Sequence, residues 1–228
     1  MKTYFNLKNL KALSILLTAF VLLSIGFTGC KKNNYDVDEP GVAYIRAANS
    51  AQASPPQDFY VDDSKVNTST IAYMQFTPYA NAYSGPHVGV FKTSSTGTVT
   101  LSGTLYLSPD SYNTIYYTDD NTGVALQDDR TAPQSGKARV RFMNLSTALN
   151  NSVDFGVSTG SIIVSNLAYK IASSYNEVDA ASSFSLYVAG SSSASLTIPT
   201  TIEAGKIYTV VISGTTLATL DYTLYVEN

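Results

Sequence analysis

An arginine and an aspartate recur as a unit in this chain. Arg46 is followed by Asp58, and Arg141 by Asp154, each pair carried on segments that alternate apolar and polar residues. On adjacent strands such residues could form a ligand-binding dyad or a cross-strand ion pair, the latter contributing roughly 0.2–1 kcal/mol at a surface. Neither pair has a nucleophile beside it, so Arg46, Asp58, Arg141 and Asp154 are read as structural ion pairs. The single histidine lies in Gly85-Pro86-His87-Val88-Gly89, with Ser84 close in sequence. A catalytic base needs a nucleophile and an orienting acid around it. The second Arg/Asp region has no histidine, and His87 reads as a loop or strand-edge residue. Carboxylates cluster as Asp62-Asp63, Asp119-Asp120-Asn121 and Asp128-Asp129. Such pairs could run glycoside hydrolysis at about 5–9 Å separation, or hold Ca²⁺. Asp119 to Gly123 lacks the EF-hand spacing, and these clusters read as turn residues. No catalytic residue, metal ligand or cofactor is assigned. The tyrosines stand out: there are 17, with no Trp, and Tyr79, Tyr83, Tyr106, Tyr112, Tyr116 and Tyr117 crowd the first half. Tyr joins an apolar ring to a polar tip. Tyr79 precedes the loop Ala80 to Pro86 and Tyr83 lies within it, and loops on a rigid scaffold carry binding. They are the candidate binding residues.

Those side chains need a scaffold, and composition narrows it. Of 228 residues, 44% are hydrophobic, enough for a core, and 14% are charged. This excludes disorder from low hydrophobicity and high charge over most of the chain. One Cys rules out a disulfide framework, and one Cys with one His argues against tetrahedral zinc. A formal charge of −3, with no Lys/Arg cluster in the body, argues against nucleic acid as a partner.

The elements are strands. Val140 and Phe142 alternate with Arg139 and Arg141; Val153, Phe155 and Val157 alternate with Asp154 and Gly156. Tyr208 to Ser213 is apolar on both alternating sets, which marks a central strand. Period two at this density predicts an all-β chain of antiparallel sandwiches. The pattern also repeats. Asp58-Phe59 matches Asp154-Phe155, and Ile71-Ala72-Tyr73 matches Leu167-Ala168-Tyr169, both 96 residues apart. Tyr83 is matched with Tyr175, and Tyr112-Asn113-Thr114-Ile115 with Tyr208-Thr209-Val210-Val211. An ordered series of this kind indicates two copies of one module. The polar stretch 128–137 reads as a linker between domains at 41–127 and 138–228. Two tandem immunoglobulin-like antiparallel β-sandwiches, without the Cys–Trp–Cys core, are the expected architecture.

The first thirty residues read as an address. Lys2, Lys8 and Lys11 precede an apolar run from Ala12 to Phe27, short for a permanent span and suited to a signal peptide. Phe27-Thr28-Gly29-Cys30 resembles the lipobox of bacterial lipoproteins. That resemblance implies cleavage of 1–29, lipidation of Cys30, and a tether at 30–40. The mature chain then carries a net charge of −6. Outer-membrane localisation follows as an expectation, on the periplasmic side or the cell surface, as in Bacteroidota-type lipoproteins.

The strand Ala138 to Asn144, then Val153-Asp154-Phe155, Asn166 to Tyr169, Tyr175, and Ala204 to Val210 stand in an order that resembles domain-of-unknown-function family 4397. This is a module of bacterial envelope and secreted proteins. The resemblance covers most of 138–228 and, more loosely, 41–127. It implies no catalytic residues. The expected function is a non-catalytic binding, adhesive or spacer module held to the membrane by its lipid, with an envelope protein or glycan as partner. The alternatives are a glycan-binding accessory lipoprotein for polysaccharide uptake and an envelope hydrolase using carboxylates.

Overall fold

The computed structural model describes residues 40–149 and 152–228. Cys30, the signal segment and the tether lie outside them. Residues 40–228 form one compact unit. Its first half contributes β1 (Val42–Asn49), β2 (Gln57–Val61), β3 (Ser64–Lys65), β4 (Gln75–Phe76), β5 (Ala80–Tyr83), β6 (Gly85–Thr93), β7 (Val99–Leu107), β8 (Tyr112–Tyr117) and β9 (Gly123–Asp128). The second contributes β10 (Lys137–Asn144), β11 (Val153–Val157), β12 (Ile162–Leu167), β13 (Asn176–Asp179), β14 (Phe184–Val188), β15 (Ala194–Ile198), β16 (Ile207–Ser213) and β17 (Asp221–Val226). Apart from one 3-10 turn at Leu217–Thr219, every element among the described residues is a strand, as the periodicity predicts.

The strands make four sheets of two repeated designs. β4 and β5 share one edge of β1, followed by β8 and β9; the matching sheet of the second half runs β13-β10-β16-β17. The partner sheets run β3-β2-β6-β7 and β12-β11-β14-β15. Within each half the two sheets close on an apolar core. Ile45, Phe59, Phe91, Ile115 and Tyr117 fill the first; Val140, Phe142, Phe155, Phe184, Leu186 and Val210 fill the second. A third cluster, made of Ala48, Tyr116, Met143, Leu145, Val211 and Tyr225, joins the two halves. The molecule is therefore four sheets deep, with the β1 and β10 sheets in the middle.

That layering explains a departure from a purely antiparallel arrangement. β1 pairs with β8 in parallel, and so does β10 with β16. Parallel pairs occur where both faces are covered, and β16 is buried along all seven residues. The side of β10 that carries Arg139 and Arg141 reads from sequence as an outer face; at Arg141 it is the seam between the halves. Two repeat assignments also change. Tyr44 pairs with Tyr112, and Arg139 with Ile207. Thr114 therefore corresponds to Thr209, 95 residues on, one residue from the match read in the sequence. Ile45 pairs with Ala80 and Val140 with Asn176, so Tyr175 corresponds to Tyr79 and not to Tyr83. The stretch read as a linker at 128–137 gives up both ends: Asp128 closes β9 and is 4% exposed, and Lys137 opens β10.

Candidate functional site

The predicted Arg–Asp pairs do not form. Asp58 bonds instead to Lys65 at 2.9 Å and to the Asn67 amide at 2.8 Å. Burial works against its charge, but those donors hold it below the usual carboxylate range. Asp154 accepts from the backbone N–H groups of Asn166 at 2.6 Å and Gly190 at 3.1 Å. Both aspartates brace loops of their own sheet. The arginines turn the other way, into the seam.

There each arginine crosses to the other copy. Arg46 Nη2 donates to Glu227 Oε2 at 2.6 Å and Nη1 to the Val226 carbonyl at 3.2 Å. Arg141 Nη2 donates to Asp128 Oδ1 at 2.5 Å and Nη1 to the Gln127 carbonyl at 3.0 Å. Each Nε donates to a threonine on the adjacent parallel strand, Thr114 at 2.7 Å and Thr209 at 3.0 Å. Those hydroxyls donate to the acid of their own copy, Asp128 at 2.5 Å and Glu227 at 2.6 Å. The pattern repeats atom for atom about a pseudo-twofold axis. Tyr79 breaks the symmetry, its hydroxyl bonding to Asp128 at 2.7 Å and to Glu227 at 3.0 Å. Its ring lies 4.5 Å from the Arg46 guanidinium carbon. Burial and the neighbouring carboxylates push the Tyr79 hydroxyl far above its ordinary range. Burial, then Asp128, raises Glu227, with Arg46 opposing. Nothing local marks Asp128 and Glu227 as arginine partners: Asp128 stands 13 residues before Arg141, as far as Asp154 stands after it, and Glu227 follows β17.

Tyr79 is thus a structural residue, whereas Tyr83 is not. Tyr116 and Tyr117 are buried, and Tyr112 stacks on Tyr44 at 4.3 Å. Tyr83 is 64% exposed and Tyr106 is 80% exposed. The two are positioned by one crossover. Gly85, at φ 120°, lets the chain pass from β5 in one sheet to β6 in the other, and the next residue, Pro86, pairs with Tyr106. Beside Tyr83 opens a crevice of about 310 Å³, its polar wall made of Asp62, Lys65, Asn81 and His87 and its floor of Ile45, Val61 and Val66.

The carboxylate pairs are engaged in the fold. Asp62 and Asp63 are the two central residues of the β2–β3 hairpin, both with positive φ as a tight primed turn requires. Asp62 folds back, accepting from the Val88 N–H at 2.8 Å and facing His87 Nδ1 at 2.5 Å. His87 Nε2 faces the Tyr83 carbonyl at 2.7 Å. Both partners are acceptors, an arrangement that favours the doubly protonated ring, and the bond to Asp62 raises the imidazole above its ordinary value despite partial burial. A histidine held this way is a charged brace for the Tyr83 strand, not a base aimed at Ser84. Asp119 accepts from the Gln52 N–H at 2.6 Å, while Lys170 of the second half pairs with Asp120 at 2.5 Å. Among the described residues no group of three or more His, Cys, Asp or Glu has the geometry of a metal site.

Residues 43–155 match the family described as a domain of unknown function, DUF4397. The DUF4397 match spans the whole first sandwich from β1, crosses the seam's Asp128 and Arg141, and ends at Phe155 in β11. A search of curated proteins finds no match. Among solved structures, the chain is similar to the CBM26 module CBMbc of Eubacterium rectale Amy13K, in complex with maltoheptaose. Identity is 11% and TM-score 0.27, covering 82% of this chain and 97% of that one. It is also similar to a leucine-rich repeat protein of Bacteroides thetaiotaomicron, at 11% identity and TM-score 0.20, covering 78% of this chain and 26% of that one. Neither score reaches the level of a shared fold.

Proposed function

We propose that this chain is a lipid-anchored envelope protein, held at the outer membrane through Cys30, whose first sandwich is a non-catalytic glycan-binding module and whose second sandwich is its rigid support. The observation that carries this reading is the Tyr83 crevice. An exposed aromatic ring stands at the rim of a cleft whose wall offers a carboxylate, an ammonium group and an amide. Rings stack on the apolar faces of sugars, and a few convergent polar groups fix orientation. The same corner argues against the hydrolase alternative, since His87 and Asp62 hold each other. The second copy is proposed as a further module of the same family, on the strength of its matching strand order.

The test is retention on insoluble polysaccharide and on cell-envelope glycan, with the protein purified from the membrane fraction. Tyr83→Ala and Tyr106→Ala together should cost roughly 1–3 kcal/mol of affinity, about five- to 150-fold, the range of an aromatic anchor at an interface. Cys30→Ser should move the protein out of the membrane fraction. Unchanged retention in the tyrosine variant sinks the binding site, and unchanged fractionation of the serine variant sinks the anchor.

A further inference from the structure

The two interiors are not equally filled. Phe59 and Phe155 occupy the same place in their copies, opposite Phe91 and Leu186. Counting along the strands from there, Gly89 stands where the second copy has Phe184, and its cross-strand neighbour Gly103 stands where the second has Ile198. On the facing sheet, Tyr116 pairs with Val124 and Val211 with Thr223, which sets Gly123 against Tyr222 and Ala125 against Leu224. Phe184 and Ile198 are completely buried in the second core, with Tyr222 and Leu224 packed against it. Four large side chains of one copy are thus three glycines and an alanine in the other.

All four small residues line one cleft of about 160 Å³ between β7 and β9, the edge strands of the two sheets; Gly89 is buried at its base, while Gly103, Gly123 and Ala125 are exposed to solvent. Leu105 and Leu101 lean in far enough that a Cβ on Gly89 or Gly123 would meet them at 2.6 and 2.7 Å. They do not fill the gap: a Cβ on Gly103 would meet nothing within 4 Å. Phe59 and Phe91 form the back wall, ring centroids 4.7 Å apart. Thr104 supplies the one polar side chain of the lining.

We infer that this slot is a binding site for an uncharged, single-ring apolar compound about the size of toluene, entering between β7 and β9. The second copy sets the chemistry, since it fills the equivalent space with a phenyl ring and a branched alkyl group. Among its lining side chains only Thr104 carries a hydroxyl, so the cleft offers a carbohydrate few side-chain partners. The site is separate from the Tyr83 crevice and does not depend on it.

The experiment uses the full chain with toluene as probe, read by the melting midpoint and by the methyl NMR signals of Leu101, Leu105 and Ile115. Toluene should raise the midpoint in a concentration-dependent way and shift those methyls. Gly103→Ile, which installs the second copy's residue where there is room, should weaken toluene binding by roughly tenfold or more by removing the apolar contact area. Its polysaccharide retention should be unchanged. If that variant does not fold, Ala125→Leu at the slot's rim serves the same purpose. Tyr83→Ala should keep toluene binding intact. Toluene at its solubility limit leaving the wild-type midpoint and methyl signals unmoved would overturn the inference, and so would a folded slot-filling variant that binds it as tightly as the wild type.

Discussion

His87 reads from sequence as a loop or strand-edge residue, and in space it lies on β6 and braces the corner beside it. Its two acceptors favour the imidazolium, and its value is raised from 6.5. A raised histidine contributes stability that is fully present below about 6.5 and lost as pH rises through the folded value. Asp62 is lowered from 3.8, chiefly by the Val88 N–H and then by His87. Its contribution is present above about 4 and lost as pH falls through its folded value. The Tyr83 corner is therefore held most firmly from about pH 4 to about 6.5. An NMR titration of His87 should give a midpoint above 6.5, and Asp62→Asn should bring it down. A wild-type midpoint at or below 6.5 would refute the brace.

At the level of strands, the arginines teach the same lesson differently. Alternation correctly placed Arg141 on the side of β10 opposite Val140 and Phe142. It could not say that this side faces another sheet, because a face packed on a second module and a face packed on water can carry the same polar residues. The match of Tyr112 with Tyr208 was one residue out, and such a slip exchanges the two faces of a strand. In the true register Thr114 and Thr209 coincide, and each bonds its own copy's arginine. With every side chain of the quartet nearly inaccessible, removing one charge leaves its partner buried and unpaired. Glu227→Gln should cost about 3–5 kcal/mol of unfolding free energy, measured by urea denaturation. A loss below about 1 kcal/mol, the range of an exposed pair, would mean that the seam is wetter than described.

Across the whole molecule, the sequence made the class of fold and the internal repeat legible, because period two and recurring Asp-Phe and Ala-Tyr pairs are local signals. The four-layer stack was not, since it depends on contacts between residues as far apart as Arg46 and Glu227. The hollow in the first sandwich was equally hidden. Only register sets Gly89, Gly103 and Gly123 against Phe184, Ile198 and Tyr222. Of the two candidate binding tyrosines, only Tyr83 faces solvent, because Tyr79 is claimed by the seam's carboxylates.

The crossed arginines also bear on self-association. Each half presents to the other one arginine, one acid and one threonine in the same arrangement, so either face is complementary to a rotated copy of itself. Cut free of its neighbour, residues 138–228 would still carry Arg141, Thr209 and Glu227 beside Met143, Val211 and Tyr225. Two such fragments can rebuild the seam, Arg141 of each reaching Glu227 of the other. The isolated half should sediment as a dimer whose melting midpoint climbs with concentration, and Arg141→Glu should render it monomeric. A fragment that is folded and monomeric at every concentration would show that the seam needs both sequences, and that the apparent twofold is only one of shape.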